Sequence, residues 1–426
     1  MTPDAISTAP LWMQNAAMPP PSAPPLPARA DVLVIGAGYT GLSAARETAA
    51  AGRSTLVLDA GELGAGCSSR NGGQVAYSIK PSFDSLSAKC GADVAFRICR
   101  EGLDAVTFLR SLAQEIDCGW REAGCFFGAH NARHFSRMVR DAENQPRGLE
   151  QRTSIVRKTE QHGEIASDYY HGGCVYPDDA CVDPARLLLA LLRRALESGA
   201  SVVDRCPVTA IKRTAGGFEA LTPRGAVQAR QVLLATNGYS GPLSPWHRRR
   251  VIPIGSYQIA TEPLGADRIR SLIPRGRNIV DSRRVVVYFR PSADGERIVF
   301  GGRAALAEKD PLVCVPRLRQ MMERIFPQLK TVRVSHAWVG WVAYTFDTLP
   351  HLGRHDGIYY CMGYCGQGVA LAPYFGKRIG QQMLGLKEGQ TALDGLPFPS
   401  RPYYYGKPWF LAPSVLAYRL IDAVGL

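Results

Sequence analysis

The chain has 426 residues, of which 46% are hydrophobic and 20% are charged. That balance is typical of folded globular proteins and excludes wholesale disorder, and the length predicts two lobes instead of one small domain. The net charge of +13 comes from Lys and Arg spread along the chain, with one dense cluster at residues 247–250. We therefore expect a basic surface that attracts an anionic cofactor or substrate.

The first 29 residues are rich in proline and alanine and lack the basic start and apolar block of a secretory signal. We predict a flexible or semi-extended tail here. No run in the sequence reaches the about 18 to 20 apolar residues that a membrane-spanning helix needs. The eleven cysteines contain no C-x-x-C pair and fit no zinc pattern, so we expect reduced thiols, no metal site and a cytoplasmic protein.

A unit of strand, glycine turn, helix and strand follows the tail. Residues 30–35 form a short apolar run rich in valine, residues 42–51 form an alanine-rich helix, and residues 53–59 resume as a strand. This order is typical of a parallel sheet. Beyond it, a helix at residues 94–116 precedes an irregular, charged stretch that extends to about residue 161.

The middle of the chain returns to the same alternation. Asp183 is a candidate N-cap and Pro184 the first residue of a strongly amphipathic helix that continues through residues 185–198. Further strands of this sheet are predicted at residues 202–203, 208–211 and 231–235.

Alternating strands with turns then predict an antiparallel lobe. Its strands are expected at residues 256–261, 285–290 and 297–301, and its helix at residues 315–326. The last part of the pattern is a strand at residues 358–362, a glycine-rich loop at 363–368 and a helix at 369–384.

The first glycine turn predicts a dinucleotide site. Gly36, Gly38 and Gly41 have the G-x-G-x-x-G spacing directly between a strand and a helix, which lets the main chain approach a pyrophosphate in front of the helix N-terminus. Asp59 lies 18 residues past Gly41 at the end of the second strand, where a carboxylate accepts hydrogen bonds from ribose hydroxyls. These features do not separate FAD from NAD.

Two other glycine-rich segments favour FAD. Residues 64–74, G-A-G-C-S-S-R-N-G-G-Q, are too polar for a simple continuation of the sheet, and their amides, Ser and Arg could approach a large heterocycle and its phosphate or ribose oxygens. Residues 363–368 precede a helix, whose positive end would stabilise negative charge on a reduced flavin. A capping loop without a ligand is the alternative for this second segment.

These stretches resemble the D-amino-acid-oxidase-like (DAO) FAD-dependent oxidoreductases, and among them the γ-glutamylputrescine oxidases. The resemblance is carried by D-V-L-V-I-G-A-G-Y-T-G-L-S-A-A, G-A-G-C-S-S-R-N-G-G-Q, I-G-S-Y-Q-I-A-T-E, V-V-V-Y-F-R-P-S-A-D-G-E-R-I-V-F-G-G-R and L-P-H-L-G-R-H-D-G-I-Y-Y-C-M-G-Y-C-G-Q-G-V, and it extends from about residue 30 to the end.

The resemblance implies an α/β fold, α+β overall, with two discontinuous domains. A Rossmann-type FAD-binding domain would be assembled from residues 30–80, 160–245 and 340–390. A helical and antiparallel-sheet substrate-binding domain, residues 81–159 and 246–339, would cover the flavin. Residues 391–426 would form a C-terminal extension.

The resemblance also implies which residues contact FAD: phosphate and ribose contacts near the first turn, an adenine contact further on, and flavin contacts from both other glycine segments. These are Gly36, Gly38, Tyr39, Thr40, Gly41, Asp59, Ala60, Ser69, Arg70, Asn71, Gly72, Gly73, Gln74, Val208, Ala235, Thr236, Gly363, Gly366, Gln367, Gly368 and Val369.

Two departures from related sequences matter. The subgroup commonly has G-H-G where this chain has Gly366, Gln367 and Gly368, which replaces a titratable imidazole with a neutral amide. The segment at residues 341–344 lacks the cysteine that tethers FAD in sarcosine-oxidase relatives, and Ser69 and Arg70 replace a histidine used by others. We therefore expect noncovalent FAD, with Cys365 as the first thiol to check.

The chemistry implied is oxidation of a small amine by hydride transfer to flavin. The resulting imine is hydrolysed to an aldehyde or keto acid, and O2 is reduced to H2O2; positioning, without a catalytic base, carries much of the rate. Candidate pocket residues, each of which could also be core or surface, are Tyr257, Tyr288, Arg290, Trp338, Tyr344 and Gln367. Arg290 could pair with a substrate carboxylate. His336 and His351 are expected to be structural.

Alternatives stay open at this point. The aromatic segment at residues 409–420, with Lys407 and Arg419, could pack on the fold or lie on a membrane surface. In the second case the protein would be a D-amino-acid-type dehydrogenase that passes electrons to quinone. A remote alternative is a basic nucleic-acid-binding flavoprotein. The sequence identifies neither the amine nor the oligomeric state.

Overall fold

A computed structural model describes residues 6–19, 25–77, 79–303 and 310–424. Its helices and strands are, in chain order, β1 (Arg29–Ile35), α1 (Tyr39–Ala50), β2 (Thr55–Leu58), β3 (Gln74–Val75), α2 (Phe83–Cys90), α3 (Ala92–Glu115), β4 (Cys125–Gly128), α4 (Ala132–Glu143), β5 (Ser154–Val156), β6 (Gly173–Tyr176), β7 (Ala180–Cys181), α5 (Pro184–Glu197), β8 (Ser201–Val203), β9 (Ala210–Thr214), β10 (Gly217–Thr222), β11 (Gly225–Leu234), α6 (Pro245–Arg248), β12 (Ile252–Thr261), α7 (Ala266–Leu272), β13 (Asn278–Asp281), β14 (Val287–Pro291), β15 (Ile298–Gly302), α8 (Pro311–Ile325), β16 (Val334–Tyr344), β17 (His351–His355), β18 (Ile358–Met362), α9 (Gly368–Met383) and α10 (Leu411–Val424).

The first sheet has the order β17-β18-β11-β1-β2-β8, with β10 and β9 added beside β11. Strands β18, β11, β1, β2 and β8 are parallel neighbours. Every residue of β2, and the run from Val32 to Ile35 in β1, is buried, which is the pattern of strands covered on both faces. The carboxyl ends of the parallel strands therefore meet at one edge, where the first glycine turn begins.

Helices α1 and α9 pack closely because small residues meet at their contact. A Cβ atom on Gly376 would lie 2.5 Å from the carbonyl oxygen of Thr40, and one on Gly380 would lie 3.0 Å from that of Ala44. Both residue numbers rise by four from the first contact to the second, so the helices run parallel. In this register Tyr39, the first residue of α1, lies level with residue 375, which is seven residues after the start of α9 at Gly368. Helix α9 therefore begins about 10 Å before the start of α1, at the rise of an α-helix.

The second sheet has the order β16-β12-β15-β14-β13-β4-β6-β5. Its pairs are antiparallel, apart from β13 and β4, which are parallel. One face packs on α8 through a core that includes Phe289, Phe300 and Phe326. Two sheets, one largely parallel and one largely antiparallel, confirm the predicted fold class.

Several predicted boundaries differ from the structure. The stretch expected to be irregular contains β4, α4 and β5, because short strands and a helix with only Met138 buried carry little periodicity. Strand β6 and the end of β16 belong to the second sheet, although residues 160–245 and 340–390 were assigned to the FAD-binding domain. Sheet membership depends on pairing between distant segments, which spacing along the chain does not report.

The prediction of a flexible tail over residues 1–29 is wrong for residues 6–19. A 3-10 helix at Leu11–Asn15 buries Leu11, Trp12 and Ala16 against Trp338, and the amide of Ser7 donates to the carbonyl of Ser335 at 2.9 Å. Burial of these apolar side chains holds the segment on the second sheet. The predicted tail also includes residues 1–5 and 20–24, which lie outside the described residues.

Candidate functional site

The first glycine turn is built so tightly that side chains do not fit. Gly36 has φ +108°, and its amide donates to the carbonyl of Leu58 at 2.8 Å. A Cβ on Gly36 would lie 2.8 Å from the carbonyl oxygen of Ala235, and one on Gly41 would overlap the carbonyl oxygen of Gly36. Glycine is required here because both positions lie against main chain.

Helix α1 starts directly at this turn. Its N-cap is Gly38, which has no side chain of its own to cap the helix. The Tyr39 amide donates instead to Ser68 Oγ at 3.1 Å, and a Cβ on Gly38 would lie 2.9 Å from the same oxygen. A glycine turn in front of a helix N-terminus suits a pyrophosphate.

Two predicted contact residues in α1 have side-chain roles inside the protein. The Tyr39 hydroxyl donates to the carbonyl of Pro184 at 2.9 Å. The Thr40 and Tyr364 hydroxyls are 2.6 Å apart, which ties this turn to the C-terminal glycine loop. Both side chains are therefore engaged within the protein, and the Tyr39 amide is bonded to Ser68 Oγ.

Asp59 stands at the end of β2, as predicted. Its Oδ2 accepts the amide of Ala37 at 2.7 Å, and its Oδ1 accepts the amide of Gly61 at 2.9 Å. Each carboxylate oxygen can accept a second hydrogen bond, so acceptors for ribose hydroxyls remain.

The expected adenosine contacts lie around Asp59 or against the first turn. The amide of Cys206 donates to the carbonyl of Asp59 at 2.8 Å, so the segment leading to Val208 runs beside it. Ala60 follows Asp59 and is exposed. On the other side of β1, the Thr236 hydroxyl is 2.6 Å from the Ser240 hydroxyl, which leaves main chain at residues 235–236 facing the turn.

The second glycine segment is shaped by its own side chains. Asn71 donates through Nδ2 to the carbonyls of Cys67 at 3.1 Å and Ser68 at 3.0 Å, and its Oδ1 accepts the amide of Gly73 at 2.8 Å. The Ser69 hydroxyl donates to the carbonyl of Gly64. Asn71 and Ser69 thus hold the loop in shape, which leaves its glycines to approach a ligand.

Arg70 and Gln74 connect this segment to its surroundings. Arg70 Nε donates to the carbonyl of Ala65 at 2.9 Å, and the Arg70 carbonyl accepts Gln258 Nε2 at 2.5 Å. Gln74 Nε2 reaches the second sheet, where it donates to the carbonyl of Phe289 at 3.3 Å. The segment is therefore attached to the second sheet at both Arg70 and Gln74.

Arg290 lies behind this segment and not in a substrate pocket. It is 2% exposed, and it donates through Nε to the carbonyl of Gly72 at 2.8 Å and through Nη2 to that of Val182 at 2.7 Å. Its guanidinium stacks 4.7 Å from the Trp12 ring centre, and burial lowers the pKa of Arg290. The expectation that it pairs with a substrate carboxylate is therefore corrected.

Two of the expected pocket aromatics are also in the interior. Trp338 is fully buried and donates through Nε1 to the carbonyl of Arg70 at 3.1 Å. Tyr257 is 2% exposed and belongs to the core of the second sheet. Trp338 therefore supports the glycine segment from behind, and Tyr257 is part of the core.

Tyr288 and Tyr344 do lie beside the glycine segments. A Cβ on Gly72 would lie 2.8 Å from the Tyr288 ring, whose hydroxyl is 2.9 Å from Ser256 Oγ; burial raises the pKa of Tyr288. A Cβ on Gly366 would lie 3.8 Å from Tyr344 Oη. The two rings therefore flank different parts of the site.

Lys80 is a site residue that the sequence analysis missed. It is exposed, its Nζ donates to Tyr344 Oη at 3.2 Å, and it stands 5.2 Å from the centre of that ring. Within the described ranges no carboxylate forms an ion pair with it. A lone lysine in a loop gives no sequence signal, and only its contact with Tyr344 brings it to the site.

The C-terminal glycine loop winds through left-handed backbone before α9. Gly363 has φ +86° and Gly366 φ +91°, and the amide of Gly363 donates to Asn237 Oδ1 at 2.9 Å. Helix α9 starts at Gly368 after Gln367, and in the described structure no side chain caps it. Val369 is in its first, buried turn. Asn237, in the segment T-N-G after β11, was not predicted as a loop support.

Cys365 lies inside this loop with φ +53° and is 2% exposed. Its thiol donates to the carbonyl of Gly363 at 3.2 Å. Burial raises the pKa of Cys365 to about 11. A buried, protonated thiol is a poor nucleophile.

The described residues hold neither a metal-binding cluster nor a membrane-spanning helix. No group of three His, Cys, Asp or Glu side chains in the described residues could hold a metal ion. None of the helices described above is both long enough and apolar enough to span a bilayer.

Comparison with known proteins gives a consistent result. The family model described as DAO, FAD dependent oxidoreductase, matches residues 31–382. The chain is 31% identical over 407 residues to gamma-glutamylputrescine oxidoreductase of Escherichia coli (strain K12), with 93% of each protein covered. It is 32% identical over 378 residues to the probable oxidoreductase OrdL of Haemophilus influenzae, covering 87% of this chain and 86% of that protein.

A solved structure with the same architecture is glycine oxidase from Geobacillus kaustophilus. It superposes with a TM-score of 0.75 at 20% sequence identity, covering 88% of this chain and 100% of that one. At this identity the likeness supports the fold.

Proposed function

The chain belongs to the DAO family of FAD-dependent oxidoreductases, and we propose that it oxidises a small amine or amino acid with FAD as the hydride acceptor and O2 as the oxidant. The observation that carries the proposal is the pair of parallel helices α1 and α9. Both start at glycine turns, and neither N-cap residue makes a side-chain hydrogen bond to its own helix; their starts are offset by about 10 Å. That arrangement suits a dinucleotide extended from its phosphates to its ring.

The residues fit FAD in the following way. The pyrophosphate would lie at Gly36, Gly38 and Gly41, where a Cβ would clash with neighbouring protein atoms and push the main chain away, and a ribose would lie at Asp59. The flavin ring would extend past Gly72 and Gly73 toward residues 366–369, whose amides start α9. Noncovalent binding is proposed because Cys365 is buried and protonated.

When bound by these residues, FAD would supply an acceptor for the hydride on the carbon that bears the neutral amine, and the two electrons would then reduce O2, with two protons, to H2O2. The oxidised substrate is an imine, and water hydrolyses it to an aldehyde or keto acid and to ammonia or an amine. The chain's own contribution is positioning. Tyr288 and Tyr344 would exclude water and hold the substrate chain, while Gln367 would present a neutral amide where relatives carry imidazole.

The substrate class rests on the relatives. One is named for γ-glutamylputrescine and a solved structure with the same fold is a glycine oxidase. Both compounds carry an oxidisable amine and a carboxylate.

We expect anaerobic mixing with the right amine to bleach the flavin absorbance of the purified protein. The panel contains γ-glutamyl amines, polyamines, N-methyl amino acids and D-amino acids, with a matching alcohol for each amine as the control. Bleaching by an amine and not by its alcohol supports the proposal. If no amine bleaches the flavin, amine oxidation is excluded.

Lys80 is expected to set the preference for anionic substrates. Replacing it by Met should raise KM for a carboxylate-bearing amine roughly tenfold, because a charge-assisted hydrogen bond is lost, and should leave KM for a neutral amine of similar length unchanged. The control is Lys80→Arg, which keeps the charge. Equal effects on charged and neutral amines would assign Lys80 a structural role beside Tyr344.

A second candidate is a dehydrogenase that passes electrons to quinone. The exposed aromatic side chains of residues 403–420, among them Trp409 and Tyr405, favour it because they suit a membrane surface. Steady-state turnover in air with H2O2 detection, compared with reduction of a soluble quinone analogue, separates the two. H2O2 at the rate of substrate loss supports the oxidase, and turnover only with the quinone analogue supports the dehydrogenase.

A further inference from the structure

The C-terminal segment carries more than half of the exposed large hydrophobic side chains in the described residues. Of the eleven large hydrophobic side chains that are exposed in the described residues, six lie within residues 403–420. The segment therefore differs from the rest of the surface, where the other five lie singly or, at Leu312 and Val313, as one adjacent pair. The six are Tyr403, Tyr405, Trp409, Leu416, Tyr418 and Leu420.

Helix α10 is anchored to the body on one side only. Val415 is 3% exposed, and both carboxylate oxygens of Asp422 accept main-chain amides, those of Arg284 at 2.9 Å and Val285 at 3.2 Å. One turn apart on the outer side, Leu416 and Leu420 are 49% and 68% exposed. The fixed inner face determines that the leucines point outward.

The charged residues of the segment itself are all basic. Residues 395–421 contain Arg401, Lys407 and Arg419 and no acidic residue. Two arginines outside the segment add to this charge. The Arg249 guanidinium lies 4.6 Å from the centre of the Tyr405 ring, and the Arg284 guanidinium lies 5.9 Å from the centre of the Tyr418 ring. Exposed rings and leucines are thus bordered by cations.

We propose that the surface formed by residues 403–420, with Arg249 and Arg284 at its border, binds an anionic lipid bilayer. Tyr and Trp favour the level of the lipid headgroups, outward leucines enter the acyl boundary, and the Lys and Arg side chains pair with anionic headgroups. A second copy of the chain is a poorer occupant, since a two-fold contact would bring the same basic borders together. This binding is independent of which amine is oxidised.

The test is co-sedimentation of the FAD-loaded full chain with vesicles. The protein should sediment with phosphatidylcholine vesicles that contain phosphatidylglycerol, less with phosphatidylcholine alone, and less in high salt because screening weakens charge attraction. The double variant Leu416→Glu, Leu420→Glu should lose binding by about tenfold or more, since charged side chains are costly at this depth.

The matched control is Leu196→Glu, which alters a leucine that is 44% exposed on α5. It should bind vesicles like the unaltered protein. Flavin content and turnover of all three proteins should agree, which shows that they are folded. Failure of the unaltered protein to sediment with either vesicle overturns the proposal. The proposal is also overturned if the double variant binds vesicles as well as the unaltered protein does. The same holds if the double variant differs from the unaltered protein only in its molecular mass in solution, which would indicate a contact between copies of the chain.

Discussion

Gly41→Ala is expected to yield protein that purifies with little or no flavin. The new Cβ would overlap the carbonyl oxygen of Gly36 and lie 3.1 Å from Val34 Cγ1, so the turn must open where the pyrophosphate approaches the main chain. The ratio of flavin to protein absorbance should fall more than about tenfold, corresponding to a loss in binding free energy above ~1.4 kcal/mol.

A glycine with free space around it provides the control. Gly216 lies in the turn between β9 and β10, and a Cβ there would meet no atom within 4 Å. Gly216→Ala should keep its full flavin content. Far-UV circular dichroism with added FAD separates weakened binding from unfolding. Full flavin content in Gly41→Ala would disprove the phosphate role of this turn.

Trp12→Ala is expected to destabilise the protein by about 3 to 5 kcal/mol, the usual cost of truncating a buried aromatic side chain. Trp12 is 1% exposed, its ring meets that of Trp338 edge-on at 6.2 Å, and it lies against the Arg290 guanidinium. Its Nε1 also donates to the carbonyl of Asn71 at 2.9 Å, so flavin content should fall with stability. Urea unfolding with linear extrapolation measures the change in the free energy of unfolding.

The matched control is Trp409→Ala, because Trp409 is 63% exposed. It should change the free energy of unfolding by no more than about 0.5 kcal/mol. Trp12→Phe keeps an aromatic ring and removes the N–H donor. Its free energy of unfolding should therefore lie between those of Trp12→Ala and Trp409→Ala. If Trp12→Ala and Trp409→Ala were equally stable, the N-terminal segment would contribute nothing to the fold.

The outcome for Arg290 and Lys80 shows where sequence reasoning reached its limit in the candidate site. Both are cations near aromatic residues in the sequence, and Arg290 lies in a motif of the family while Lys80 does not. Arg290 is buried and donates its hydrogen bonds to main-chain carbonyls. Lys80, in contrast, is exposed and donates to the hydroxyl of Tyr344. Burial is set by segments distant in sequence, so residue type alone does not distinguish these roles.

Features that depend on residues close together in the sequence could be predicted from the sequence alone. Asp183 caps α5 as predicted, because its Oδ1 accepts the amides of Ala185 at 3.0 Å and Arg186 at 3.1 Å. Strand β18 has the predicted bounds, and Gly36 and Asp59 lie at the ends of adjacent parallel strands. The sequence by itself therefore determined the parallel sheet, its glycine turn and the dinucleotide cofactor.

Only the tertiary structure decided how distant segments meet. It placed Trp12 against the second glycine segment, joined Thr40 to Tyr364, and left the outer face of α10 uncovered. The physical reason is that burial and hydrogen bonding between segments 59 to 324 residues apart depend on how the two sheets pack, and the spacing of residues along the chain records none of that packing.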